Sequence, residues 1–168
     1  MIRPETGENV FIAEGARLHG DVVIGENCSI WYNAVIRSDE EGRRIRIGRN
    51  TNVQDNCVLH VGPRHNLTIG EGVTIGHTAI VHGCTVGNNT LIGMGAIVMN
   101  GAVIGNNCIV GAGALVTENT QVPDGSLILG TPAKIRRLLT EEEIERNRIS
   151  AQHYVEMGQN YRREQEEE

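Results

Sequence analysis

Aliphatic residues recur along most of this chain at intervals of six: Ile24, Ile30, Ile36; Ile47, Val53, Leu59; Ile69, Ile75, Val81; Val86, Ile92, Val98; Ile104, Val110, Val116. Ile12 and Leu18 extend the series upstream, and Val122 and Ile128 extend it downstream. Each triplet opens on a variant of one tetrapeptide: IGEN at 24, IGRN at 47, IGEG at 69, VGNN at 86 and IGNN at 104. A period of six is neither that of a helix nor that of a simple alternating strand. It is the period of a hexapeptide parallel β-helix, in which three short strands make one triangular turn. Each aliphatic residue then points inward, and Gly or Asn after it suits a corner where unusual backbone angles must be tolerated. The predicted fold is an all-β solenoid with its prism over residues from about 10 to 130.

Beyond the prism the pattern changes. Thr140 and Glu143 form a T-x-x-E capping box, and Ile144, Ala151, Val155 and Gly158 follow with helical spacing, which predicts one helix over roughly 140–163. The chain thus divides into a hexapeptide-repeat domain, 1–135, and a C-terminal helix with an acidic tail, 136–168. Tyr154, His153 and Tyr161 are read as packing or surface residues of that helix, and the ending EQEEE as a fraying terminus.

The repeat is broken at particular places. Three hexapeptides make a turn of about 18 residues, whereas the tetrapeptides are spaced 23, 22, 17 and 18 apart. Five extra residues enter after Ile36, four enter after Leu59, and one is lost after Val81, so all three departures follow the third strand of successive turns. A functional site is expected where a sequence breaks its own local rule.

Composition narrows the possibilities. One Trp, one Phe and three Tyr stand against 21 Gly, so aliphatic residues must fill the core. The formal charge of -6, with no concentrated basic stripe, argues against nucleic acid as a partner. The opening MIRPETGENV has no apolar core of a signal peptide and no stretch is long enough to span a membrane, so a cytoplasmic location is expected. Cys28, Cys57 and Cys108 each follow an inward aliphatic by four places, where other units carry Ala or Thr. Those thiols, and Cys84 with them, are read as small packing residues rather than as disulfide or metal partners.

Histidines supply the candidate chemistry. Arg37, His60 and His82 each come immediately after the third aliphatic of consecutive turns, and so should stack in one column. Strands about 4.8 Å apart allow two imidazoles to converge on one ion. His77 falls two places after Ile75, on the preceding face, over Asp55. Five extended residues cover up to about 16 Å, so His77 and His82 of one chain do not easily share a metal. An intersubunit site follows, with His77 supplied by a second chain, and a cyclic trimer is the natural assembly of three-faced units. His19, His65 and His153 are read as surface or satisfied residues.

The stretches VIRSDE at 35–40, NVQDNCVLH at 52–60 and IGHTAIVHG at 75–83 resemble the gamma-class carbonic anhydrases, and the resemblance covers essentially the whole chain. It implies a left-handed β-helix, a homotrimer, and Zn2+ at each subunit interface, with Fe2+ or Co2+ as alternatives, bound by His60, His77 and His82. It implies reversible hydration of CO2 to bicarbonate by metal-bound hydroxide. Gln54 then matches the glutamine that orients the hydroxide. Arg37, Asp39 and Asp55 match an ion-pair network between subunits, and Glu40 matches a glutamate that helps move protons. The short segment VGPRHN replaces the long acidic loop of the best-known members and has no carboxylate; its His65 is read as an exposed loop residue. Two other functions stay open: acyl transfer or CoA-thioester cleavage on the same prism, and a metal-binding trimer without catalysis.

Overall fold

The computed structural model describes residues 2–167; Met1 and Glu168, the last residue of the acidic ending, lie outside it. The chain winds as a parallel β-solenoid with three sheets, one for each face of the prism, and a single C-terminal helix. Up to the closing hairpin, each sheet takes every third strand, so that strands one turn apart are neighbours. The aliphatic triplets fall into register: Ile24 on Ile47, Ile30 on Val53, and Ile36 on Leu59. Parallel pairing with a constant register makes each inward residue touch its counterpart in the turns above and below, a continuous column of branched side chains. Ile30, Ile36, Val53, Leu59, Ile75, Val81, Ile92, Val98, Val110 and Val116 are all fully buried.

Corners follow from the residues placed there. Asn27, Asn50, Asn89 and Asn107 adopt φ of 57°, 58°, 51° and 53°, a left-handed conformation that Asn tolerates better than most residues. Asn9, Asn27 and Asn50 also bond to one another along one edge, with Nδ2 of each donating to Oδ1 of the next at 3.3 and 3.2 Å. All four cysteines are free and buried. Burial pushes the thiols of Cys28 and Cys84 up to about 12 and that of Cys57 to about 11, which leaves them unionised and inert.

At the C-terminal end the prism closes with an antiparallel hairpin, Ser126–Gly130 against Ala133–Leu138. The helix, Glu141–Glu167, then runs back along the second face. Thr140 and Glu143 make both reciprocal bonds of the capping box: Thr140 Oγ1 accepts from the Glu143 N–H at 3.2 Å, and Glu143 Oε2 accepts from the Thr140 N–H at 2.9 Å. The helix extends four residues past the expected end and takes in most of the acidic tail expected to fray. Arg162 explains the difference, since it pairs with Glu166 at 2.7 Å one turn on and reaches Asn9 of the first solenoid turn.

Aromatic residues are concentrated on this seam. Trp31 packs edge-on against Phe11, Tyr154 and Tyr161 with centroids 5.2, 5.7 and 5.1 Å apart, and its Nε1 donates to Ser29 Oγ at 2.9 Å. Tyr154 and Tyr161 therefore pack the helix onto the solenoid. Gly158 lets the helix come close, because a Cβ there would lie 2.9 Å from the Cβ of Ser29. Buried Asn147 donates to the carbonyls of Asn89 and Cys108, both at 3.1 Å, and ties the helix to two successive corners.

Candidate metal centre

The third face consists of the strands Arg17–Gly20, Val35–Ser38, Val58–His60, Ile80–His82, Ile97–Val98 and Leu115–Val116. Arg37 is the register partner of His60, and His60 that of His82. Because Ile36, Leu59 and Val81 point inward, the residues after them point out and stack in a column. His19 ends the column beside Arg37 and is exposed. His60 Nδ1 and His82 Nε2 face each other at 3.0 Å.

The insertion after the Val35–Ser38 strand brings a carboxylate back over this column. Ser38 Oγ donates to the carbonyl of Arg43 at 2.9 Å and the Arg43 N–H donates to the carbonyl of Glu40 at 3.0 Å, which folds the loop upon itself. Asp39 Oδ1 lies 2.7 Å from His60 Nε2, and Asp39 Oδ2 pairs with Arg37. The bond from His60, and after it the Arg37 guanidinium, holds the Asp39 carboxyl below the usual carboxylate range. Glu40 is exposed on the loop. On the far side of the pair, His82 Nδ1 lies 2.7 Å from Asn100 Oδ1.

Hydrogen counting shows what this arrangement lacks. Three contacts run in series: Asp39 to His60, His60 to His82, and His82 to Asn100. Each contact needs one hydrogen, and two neutral imidazoles carry two. With the outer two contacts made by N–H donors, the His60 and His82 lone pairs are left facing each other. Either a third hydrogen or a cation seated between the two rings relieves that repulsion. Tetrahedral Zn2+ with bonds of about 2.0–2.1 Å sets its ligand nitrogens roughly 3.3 Å apart, close to the observed separation, so the donor pair fits a divalent ion.

The other predicted residues gather on the second face. His77 Nδ1 lies 3.0 Å from Asp55 Oδ1. With the Nδ1 hydrogen on Asp55, the Nε2 lone pair of His77 is free, and 44% of the side chain is exposed. Buried Gln54 accepts the His77 N–H through Oε1 at 3.1 Å and donates from Nε2 to Asn52 Oδ1 at 3.1 Å. Gln54 and His77 also line a cavity of about 380 Å³ between this face and the helix, shared with Tyr154, Leu91 and Met94. Among the described residues, no three His, Cys, Asp or Glu side chains gather as a metal-ligand set within the chain.

His65 differs from its reading as an exposed loop residue. Gly62 and His65 close a tight turn by exchanging backbone bonds of 2.9 and 3.1 Å, and the half-buried imidazole lies over Gly83 and Gly101. Sequence reasoning missed Asn100 and Asn52. The only signal for Asn100 was the residue lost after Val81, in the corner that Asn100 overlies.

A profile of the bacterial transferase hexapeptide, in six repeats, matches residues 3–38 and 83–118. A relative from Methanocaldococcus jannaschii named "Probable carbonic anhydrase" is 50% identical over 90% of this chain and 94% of its own. "Gamma carbonic anhydrase 2, mitochondrial" of Arabidopsis thaliana is 40% identical over 93% of this chain and 58% of its own length. The chain belongs to the gamma carbonic anhydrase family. A solved hexapeptide transferase family protein from Anaplasma phagocytophilum, 42% identical, covers 95% of this chain and 98% of its own with a TM-score of 0.86. Within this gamma carbonic anhydrase family member, the gap between the two profile matches, residues 39–82, holds both insertions and all three of His60, His77 and His82. The generic repeat profile passes over the stretch that carries the three candidate ligands.

Proposed function

We propose that the protein is a metal-dependent carbonic anhydrase whose ion, Zn2+ or alternatively Fe2+ or Co2+, is held between two copies of the chain. His60 and His82 come from one copy and His77 from the next. The observation that carries this reading is the pair of imidazole nitrogens 3.0 Å apart, each backed by an acceptor on its other nitrogen. His77 has the same support from Asp55. Metal-ligating histidines characteristically donate their second N–H to such a partner, which fixes the tautomer and raises ligand basicity.

A shared site accounts for the division of the ligands between two faces. It also gives a use to the outward aliphatics beside the column, since Val58, Ile80 and Ile97 stack in register and are 39%, 38% and 37% exposed. That stripe is an apolar surface for a second copy, and three prisms around one axis satisfy each pairing in turn.

A bound divalent ion with three imidazole ligands acidifies water to a pKa of about 7 and so supplies the nucleophile for CO2 at neutral pH. The chain's own residues prepare for that chemistry. Asp39, Asn100 and Asp55 each keep a hydrogen on the nitrogen turned away from the metal, so all three rings present lone pairs. The bond from His60, and after it Arg37, favours the ionised form of Asp39. Gln54, anchored at both its oxygen and its nitrogen, retains one N–H to orient a ligand oxygen and does not titrate. Exposed Glu40 offers a carboxylate through which a proton can reach solvent.

Stopped-flow CO2 hydration by metal-loaded protein, beside His82→Ala treated identically, tests the reading. The wild type is expected to accelerate hydration, and the variant to lose both metal and activity while keeping its circular dichroism. A fully loaded wild type without hydration activity sinks the proposal and turns the search to thioesters. A monomer at micromolar concentration sinks the shared site.

A further inference from the structure

Asn100 owes its contact with His82 to an irregularity of the backbone. Val81 pairs with Val98, and Thr85 pairs with Val103. The lower turn crosses that corner in three residues, 82–84, and the upper turn crosses it in four, 99–102. Gly101 bonds back to Gly83 at 2.8 Å, so the corners stay in step and the extra residue is thrown toward the column. The extra residue is Asn100.

Two glycines leave room for its side chain. A Cβ on Gly62 would lie 2.5 Å from Asn100 Oδ1, and a Cβ on Gly83 would collide with the same atom. Gly83 also has a φ of +53°, where glycine is favoured. The carboxamide is therefore held between two turns, with Oδ1 2.7 Å from His82 Nδ1.

We infer that Asn100 is a positioning residue for the metal: it holds the hydrogen of His82 on Nδ1 and thereby presents Nε2 toward His60. The inference rests on the metal-centre reading above and extends it to a residue outside the ligand set. A free imidazole has no such constraint and exchanges tautomers readily. Against an asparagine fixed in a cradle of glycines, one tautomer is selected before any ion arrives.

Metal affinity, measured by competition with a chromophoric chelator, and the tautomer of His82, measured from its ring 15N shifts in metal-free protein, test this together. Asn100→Ala is expected to weaken affinity by about 10–100-fold and to remove the preference for Nδ1–H. Asn100→Asp restores an acceptor and should recover both. Asn100→Leu fills a similar volume without an acceptor and should behave like Ala. Wild-type affinity in Asn100→Ala overturns the inference, as does rescue by Leu but not Asp, which would assign the residue to packing. A wild type that takes up no metal overturns this inference together with the reading beneath it. A wild type that binds metal without hydrating CO2 overturns only the proposed activity, and the affinity and tautomer of the variants still decide the role of Asn100.

Discussion

The turns from Val86 onward and the turns before it are built on the same interior and differ at one corner. Ile36, Leu59 and Val81, which precede the irregular crossings, are as fully buried as Val98 and Val116, which precede regular ones. Outside, the column reads Arg37, His60 and His82 below and then Met99 and Thr117 above. The insertions after Ile36 and Leu59 and the deletion after Val81 leave the aliphatic ladder unbroken. Stability and chemistry therefore occupy adjacent residues on the same strands, separated by the alternation of side chains.

The sharpest way to break that comparison is to truncate two neighbours. Leu59→Ala removes a fully buried side chain from a continuous column and should cost about 2–5 kcal/mol in urea unfolding of metal-free protein. His60→Ala, one residue along, should cost less than about 1 kcal/mol under the same conditions while abolishing tight metal binding. Equal losses in the two variants would show that the column also carries the fold. A His60→Ala protein that keeps wild-type metal affinity would remove His60 from the proposed site.

A smaller effect separates the solenoid from its helix. Asn147→Ala leaves the carbonyls of Asn89 and Cys108 without their side-chain donor, which should cost about 1–3 kcal/mol. The loss should appear first as faster amide exchange and faster tryptic cleavage within 141–167, with the solenoid amides unchanged. Uniform exchange across the chain would mean that the helix and the prism open together.

Legibility in the sequence followed periodicity. A repeat of six with inward aliphatics allows one register, and that register predicted the stacking of Arg37, His60 and His82 and the position of His77 over Asp55. The capping box at Thr140 was equally readable, being a local pattern with a local cause. What escaped lay in the aperiodic pieces or between turns. No pattern says that the loop after Ser38 returns Asp39 to His60, since that path depends on bonds within the loop. Asn100 contacts a residue eighteen places earlier through a corner whose shape depends on a deletion in the turn below. His65 was read from the polarity of its loop, and the turn at Gly62 instead lays it against two glycines. The helix outran its expected end because Arg162 contacts the first solenoid turn, which composition of the acidic tail does not reveal.

The smallest predicted effect concerns the junction between prism and helix. Glu143 accepts two bonds from Arg137, at 2.8 and 2.7 Å, and one from the backbone of Thr140. The Arg137 bonds, and after them the Thr140 N–H, lower its carboxyl from the usual 4.5 to about 2. A carboxyl depressed in the folded state stabilises above its unfolded pKa, and that contribution is lost as pH falls through the folded value. Stabilisation by Glu143 should thus be complete above about pH 5 and gone near about pH 2. Glu143→Gln keeps an acceptor for the Thr140 N–H but not the charge that Arg137 meets, and the pair is open to solvent, so the change in melting temperature should be small. The wild type should melt above the variant at neutral pH, and the two curves should converge on acidification. A gap that persists unchanged at the acid end would show that the amide disturbs the cap geometry itself, and that charge contributes nothing at this junction.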